Sequence, residues 1–214
     1  MNVAIFGGGC FWCLEAVYRK IQGVASVKSG YMGGHVARPS YEQVCGAQTG
    51  HAEVVQIEFD PAVVSYEDLL AVFFTIHDPT TPNRQGNDSG PQYRSVIFAT
   101  SDAQMAHAKA VIEVLNRSVT PSAQAQALVV RFSAMAPSAP VVTELIQVPS
   151  PAAPAGDLGS SNAGQSVAQI FWPAEPEHDN YFERNPYQGY CHFVVAPKVA
   201  KAEQHFARLM RPSD

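Results

Sequence analysis

Two cysteines stand three residues apart in the run Gly7-Gly8-Gly9-Cys10-Phe11-Trp12-Cys13-Leu14-Glu15. A short apolar strand, Val3-Ala4-Ile5-Phe6, leads into the glycines, and Leu14, Val17, Tyr18 and Ile21 then recur at i, i+3, i+4, i+7, an amphipathic helix. The spacing puts Cys10 at or just before a helix N-terminus, where unpaired backbone N–H groups and the helix dipole favour an anion. A thiol there is expected to ionise more readily than a free one, whose pKa is about 8.5, and the thiolate is the nucleophile. The glycines are expected to let the backbone approach a ligand, and Phe11 and Trp12 set two aromatic faces beside the sulfur. This reads as a reactive cysteine rather than a core one. C-x-x-C is also a redox spacing, so Cys13 is a candidate partner for an oxidised Cys10.

Other chemistries find less support. C-x-x-C is half a zinc site, but Cys45 and Cys191 stand alone and His35 and His51 are scattered among glycines, so no metal is expected. Gly7-x-Gly9 lacks the third glycine and the acidic partner of a dinucleotide site, and no cofactor is expected. A cysteine hydrolase needs a histidine base, and no spacing singles out His51, His77 or His178. His51 is expected to satisfy local hydrogen bonds, and Cys45 to fill a packed position. A thiol–disulfide oxidoreductase using Cys10 and Cys13 is the main alternative to small-ligand chemistry, although Phe11-Trp12 suits an apolar pocket.

The 214 residues suffice for one substantial core, and 46% hydrophobic with 15% charged residues fits a globular protein. The net charge is −5 with no basic run, which excludes nucleic acid as an expected partner. No secretory leader is visible, and the apolar runs fall far short of the roughly 20 residues needed to span a bilayer. Four cysteines are too few for a disulfide scaffold. A cytoplasmic, monomeric enzyme without membrane association is expected.

Strand and helix patterns alternate through the first 120 residues. Val54 to Phe59 is a strand ended by Asp60-Pro61, and Ser65-x-x-Asp68 resembles a capping box ahead of Leu69, Leu70, Phe73, Phe74 and Ile76. Arg94 to Thr100 is strand-like, and Ser101-x-x-Gln104 caps a helix bearing Met105, Ala108, Ile112 and Leu115. This predicts an α/β (α+β) fold. The loop at 78–91 is long enough to suggest function. Residues 149–169, rich in Pro, Ala, Ser and Gly, read as a flexible low-complexity insertion in an otherwise single domain, 1–214. Pro197 is expected to start a terminal helix.

Gly9-Cys10-Phe11-Trp12-Cys13-Leu14-Glu15 resembles the signature of peptide methionine sulfoxide reductases of the A type. Further motifs follow in the family's order: Tyr41-Glu42-Gln43-Val44-Cys45, Thr49-Gly50-His51-Ala52-Glu53-Val54-Val55, His77-Asp78-Pro79-Thr80, Asn83-Arg84-Gln85-Gly86-Asn87-Asp88, Gln92-Tyr93-Arg94-Ser95, Phe171-Trp172-Pro173-Ala174-Glu175, Tyr181-Phe182 and Tyr190-Cys191. The likeness covers roughly residues 2–117 and 141–205. Ser118 to Pro140 looks expanded, and 149–169 replaces what is a few residues in the family pattern.

The resemblance implies a two-layer, ferredoxin-like sandwich with an extra C-terminal segment. It implies reduction of methionine-(S)-sulfoxide, in proteins or peptides and free, through a sulfenic acid on Cys10, the first step of thiol oxidation. Glu53 would donate the proton, assisted by Tyr41 and Tyr93. Phe11 and Trp12 would wall the methyl pocket, and Asp88, otherwise a turn-former, would meet the substrate's backbone amide or a water. Thioredoxin or another dithiol would recycle the enzyme. Cys191 matches a family resolving position and is expected on a mobile C-terminal approach. Cys13 is second choice, because a bridge across one helical turn is expected to disturb the helix start.

Overall fold

A computed structural model describes residues 1–118, 120–149 and 165–212. β1 (Asn2–Gly7) enters the glycines, and α1 (Phe11–Tyr18) follows with Cys10 as its N-cap. β2 (Val24–Met32), α2 (Tyr41–Cys45) and β3 (Ala52–Phe59) come next, then α3 (Tyr66–Ile76), the two-residue strands β4 (Arg84–Gln85) and β5 (Asp88–Ser89), and β6 (Val96–Ala99). α4 (Asp102–Leu115) and α5 (Ala123–Phe132) precede β7 (Glu144–Gln147). β8 (Trp172–Pro173), α6 (Tyr181–Arg184) and α7 (Ala196–His205) complete the elements.

The sheet order is β7-β6-β1-β3-β2-β8. Its inner strands β6, β1, β3 and β2 each run antiparallel to their neighbours and are connected β1-α1-β2-β3-α3-β6, the ferredoxin-like arrangement. β7 adds in parallel beyond β6. Because side chains alternate across a strand, Ala4, Phe6, Val55, Ile57 and Phe59 face the helices. Ile5, Ala52 and Val54 point the other way, into a smaller cluster closed by Val148 and Phe171.

Both expected serine caps are present: Ser65 forms a full capping box with Asp68, and the Ser101 hydroxyl accepts from the Gln104 N–H. The stretch that looked expanded holds α5, capped by Ser122 and anchored by buried Ala125 and Phe132. One expectation needs correction. The insertion reading runs too far at its C-terminal end: Ser166 caps a 3₁₀ turn over Val167–Gln169, and the Ala168 carbonyl accepts from the Gly33 N–H at 3.1 Å. The remainder, 150–164, lies outside the described residues. The terminal helix starts where expected, with Pro197 the second residue of α7, and a π-helical segment, Cys191–Val195, runs straight into it. Proline has no N–H for the carbonyl four residues back, and the wider turn ahead of it absorbs that loss. Among the described residues no helix is long and apolar enough to cross a membrane.

Candidate active site

Cys10 lies where β1 ends and α1 begins, at φ −59° and ψ 127°, outside helical geometry. Packing alone requires the glycines before it. A side chain at Gly7 would strike Val96 and the Glu53 carbonyl, and one at Gly9, where φ is +93°, would strike Gln85. Gln85 is buried and fixes the long loop by accepting from the Asp78 N–H and donating to the Asp78 carbonyl, both at 2.8 Å. The tight fit carries α1 directly over the sheet, so Cys10 is only 7% exposed.

Burial reverses the expected titration of Cys10. Desolvation, a hydrogen bond with the Cys13 thiol and the nearby Glu53 charge push it well above the ordinary thiol value. The helix N-terminus offsets this only through the Trp12 N–H. Cys13 moves the other way, down to about 7: its bond with Cys10, the Lys198 charge and the Tyr190 hydroxyl together outweigh burial.

Glu53 is within β3, not ahead of it, and its register partner is Tyr31. It shares the helix-facing side of the strand, so the carboxylate reaches the start of α1, where the Phe11 N–H donates to Oε2 at 3.0 Å. It is 1% exposed, and burial pushes its pKa up to about 8 against that hydrogen bond, with Asp88 and Cys13 adding to the rise. At neutral pH it is therefore a protonated acid beside a buried thiol. Tyr41 and Tyr93 are half-buried, and both stay neutral donors: burial, then the Glu53 charge, holds their pKa values above the phenol range, and each also senses Cys10. These four expected residues form one cluster.

The two aromatics separate in role. Phe11 is completely enclosed, its ring against Tyr31, Tyr41, His178 and Trp12. Trp12 keeps some exposure while Tyr181 stacks flat on it at 3.8 Å and Tyr190 meets it edge-on. Asp88, on β5, accepts from the Tyr190 hydroxyl at 2.6 Å. Cys191 is fully buried at the start of the π-helical segment rather than on a mobile approach. Cys45, expected to be packed, is exposed, its thiol hydrogen-bonded to Tyr41. α2 has only five residues and buries Val44 alone, so its last residue faces outward. His51 does satisfy local bonds: Nδ1 accepts from the Gly34 N–H at 3.1 Å and Nε2 donates to the Val36 carbonyl at 2.7 Å.

Sequence reasoning missed the supports. Glu175 accepts from the Tyr31 hydroxyl at 2.9 Å and the Tyr41 N–H at 2.8 Å, fixing the start of α2. His178 lies against Phe11 and Tyr41 and accepts from Trp12 Nε1 at 3.2 Å. Glu15, 1% exposed on α1, accepts from the Asn180 N–H at 2.9 Å. Only their membership in the quoted motifs pointed to Glu15 and Glu175.

A sequence model described as peptide methionine sulfoxide reductase matches residues 2–137 and 164–210. The peptide methionine sulfoxide reductase MsrA of Ralstonia nicotianae is 48% identical over 211 residues, 99% of this chain and 94% of that protein. Among solved structures, methionine sulfoxide reductase A of Corynebacterium diphtheriae superposes with a TM-score of 0.65 at 28% identity, over 86% of this chain and 75% of that one. Mxr1 from Saccharomyces cerevisiae in reduced form gives 0.61 at 30% identity, over 89% and 88%.

Proposed function

The chain belongs to the peptide methionine sulfoxide reductase family, and on that premise we propose which of its residues reduce the substrate. The enzyme is an oxidoreductase that returns methionine sulfoxide to methionine, a repair of oxidised protein. Cys10 Sγ attacks the sulfoxide sulfur as Glu53 protonates the sulfoxide oxygen. Methionine leaves, the oxygen remains on Cys10 as a sulfenic acid, and the thiol proton replaces the one Glu53 gave. Tyr41 and Tyr93 donate hydrogen bonds to the oxygen as its charge grows. Trp12 walls the methyl pocket with Phe11 behind it, and Asp88 orients the substrate backbone. A second thiol closes a disulfide on Cys10, and thioredoxin or another dithiol reduces it.

One observation carries this assignment: a buried carboxyl, neutral at pH 7 and anchored on the Phe11 N–H, beside the cysteine that caps the same helix. The reading extends to the (S)-epimer, to free and protein-bound substrate, and to a monomeric, cytoplasmic enzyme whose single domain leaves the insertion, residues 150–164, outside the chemistry. Methionine release from each sulfoxide epimer with dithiothreitol tests it. Turnover of the (S)-epimer that vanishes in Cys10→Ser supports the assignment; retained turnover in that variant overturns it.

A further inference from the structure

We propose that the free outer edge of β2, residues 25–28, docks an extended acidic segment of an oxidised protein, which adds to the sheet as a further strand. The premise is the family's activity; none of the residue roles proposed above is needed.

β2 is paired along only one of its edges. β3 runs beside it from Val24 to Met32. On the outer edge β8 pairs with Gly30 and Tyr31 alone, and the Ala174 N–H donates to the Ser29 carbonyl at 3.0 Å. At the other end the C-terminal tail closes over the chain, with Met210 bridging Ile21 and Arg211 donating to the Val24 carbonyl. Between these two covers the edge is open. In an antiparallel ladder a residue turns both backbone groups to one edge, and its neighbours turn theirs to the other. Ser29 turns outward, so Val27 does too, and neither its N–H nor its carbonyl meets a partner there among the described residues. Such an edge is a template for an incoming strand.

The gap is also a groove. Two hollows of about 240 and 210 Å³ share Lys28 and Asp179 and so run on from one to the other along β2. The first reaches Arg19 and Arg211. The second extends to Ser29, which is 7% exposed and whose Oγ has no hydrogen-bond partner among the described residues. A side chain entering from a docked strand gives that hydroxyl the partner it lacks.

Charge selects the occupant. The chain carries −5 overall, yet three cations line the groove against Asp179. Arg19 is engaged by Glu15 and Asp179. The Arg211 guanidinium donates to the carbonyls of Ile21 and Val24, which leave its charge unbalanced. Lys28 is exposed and forms no ion pair among the described residues. Like charges across a strand pair repel and opposite charges attract, so a second copy of this edge is disfavoured and a strand bearing carboxylates is favoured.

Position ties the groove to the chemistry. Ser29 stands two residues, about 7 Å along the strand, from Tyr31, the register partner of Glu53. The second hollow is lined by His178, whose ring also meets Phe11 and Tyr41. A docked segment therefore lies one wall away from the cluster, and a spacer of several residues lets a methionine sulfoxide in the same chain reach it.

The test compares free methionine sulfoxide with peptides that join one methionine sulfoxide, through a Gly-Ser spacer of about six residues, to a Glu-Val-Glu-Val or a Gln-Val-Gln-Val flank on either side. KM for the glutamate peptide in its better orientation should lie about fivefold below that for the glutamine peptide. Lys28→Glu combined with Arg211→Glu should abolish that preference and keep kcat/KM on free methionine sulfoxide within about twofold. N-methylation of the flank amides should abolish it in the wild type, since a methylated amide cannot donate to a ladder. Equal KM values for the two peptides, or a preference that survives charge reversal or N-methylation, overturns the inference. If the double variant lacks a cooperative thermal transition, Lys28→Glu decides alone. A wild type that leaves free methionine sulfoxide unreduced would instead remove the family premise.

Discussion

At position 10 two physical effects oppose each other. The helix start favours a thiolate, as spacing suggested, but enclosure by the sheet and the neighbouring acid dominates and keeps the thiol protonated until substrate arrives. Cys10→Ser is expected to abolish methionine release, since a hydroxyl is a far weaker soft nucleophile. Glu53→Gln keeps the hydrogen-bonded shape but loses the proton, so kcat/KM should fall about 100-fold or more. Wild-type activity should decline as pH rises through about 8, where Glu53 ionises, and that falling limb should be missing from the glutamine variant. Stability carries the same signature. Burial raises the Glu53 pKa from 4.5 to about 8, so between those values the unfolded chain releases a proton that the folded one retains. Stability conferred by the neutral carboxyl is complete below about 4.5 and is lost as pH rises to 8. Glu53→Gln should therefore gain thermal stability over wild type progressively across that window, as melting at pH 4.5 and pH 8 would reveal.

Among elements, α1 carries the site on both flanks. Its N-terminus presents Cys10 and Cys13, while Glu15, one turn on, holds the segment from Pro176 to Arg184 through the Asn180 N–H. That segment supplies His178 and Tyr181, two of the partners of Trp12. Leaving the Asn180 donor unpaired costs about 1–3 kcal/mol. Glu15→Ala is expected to loosen the segment, raise KM about tenfold with a smaller change in kcat, and speed tryptic cleavage after Arg184, whose side chain is already exposed. Glu15→Gln retains an acceptor and should stay close to wild type on both readouts. An alanine variant with unchanged KM and proteolysis would show that Trp12 is held without this anchor.

At the scale of the molecule, the chemistry sits on one side of a ferredoxin-like sheet, and the C-terminal elements wrap back over it. None of the described residues between β7 and the Ser166 turn belongs to the cluster. Replacing 150–164 with a short Gly-Ser linker should leave turnover on free methionine sulfoxide within a few-fold of wild type and preserve one cooperative thermal transition. Loss of that transition would mean that the insertion packs. The turn at Val167–Gln169 is a different case, since Gly33 and Trp172 both bond to its carbonyls, and deletions should stop short of it.

Periodicity and caps were legible in the sequence because they are local: β1, the amphipathic run of α1, Ser65 before α3 and Ser101 before α4 each depend on residues a turn apart. The cluster Cys10, Glu53, Tyr41 and Tyr93 was legible through the family motifs. Titration was not, because desolvation depends on what distant segments place around a group. A helix-start thiol became a hindered acid, and a strand carboxylate became a carboxyl that burial holds neutral. Nor could spacing find Glu175, His178 and Tyr190, which lie more than 130 residues beyond the tyrosine, tryptophan and thiols they reach, or at the far end of the chain from them. Strand pairing and the return of the C-terminus create those contacts. The types of the candidate reacting groups are written in the chain; their protonation and supports follow from burial, which only the tertiary structure decides.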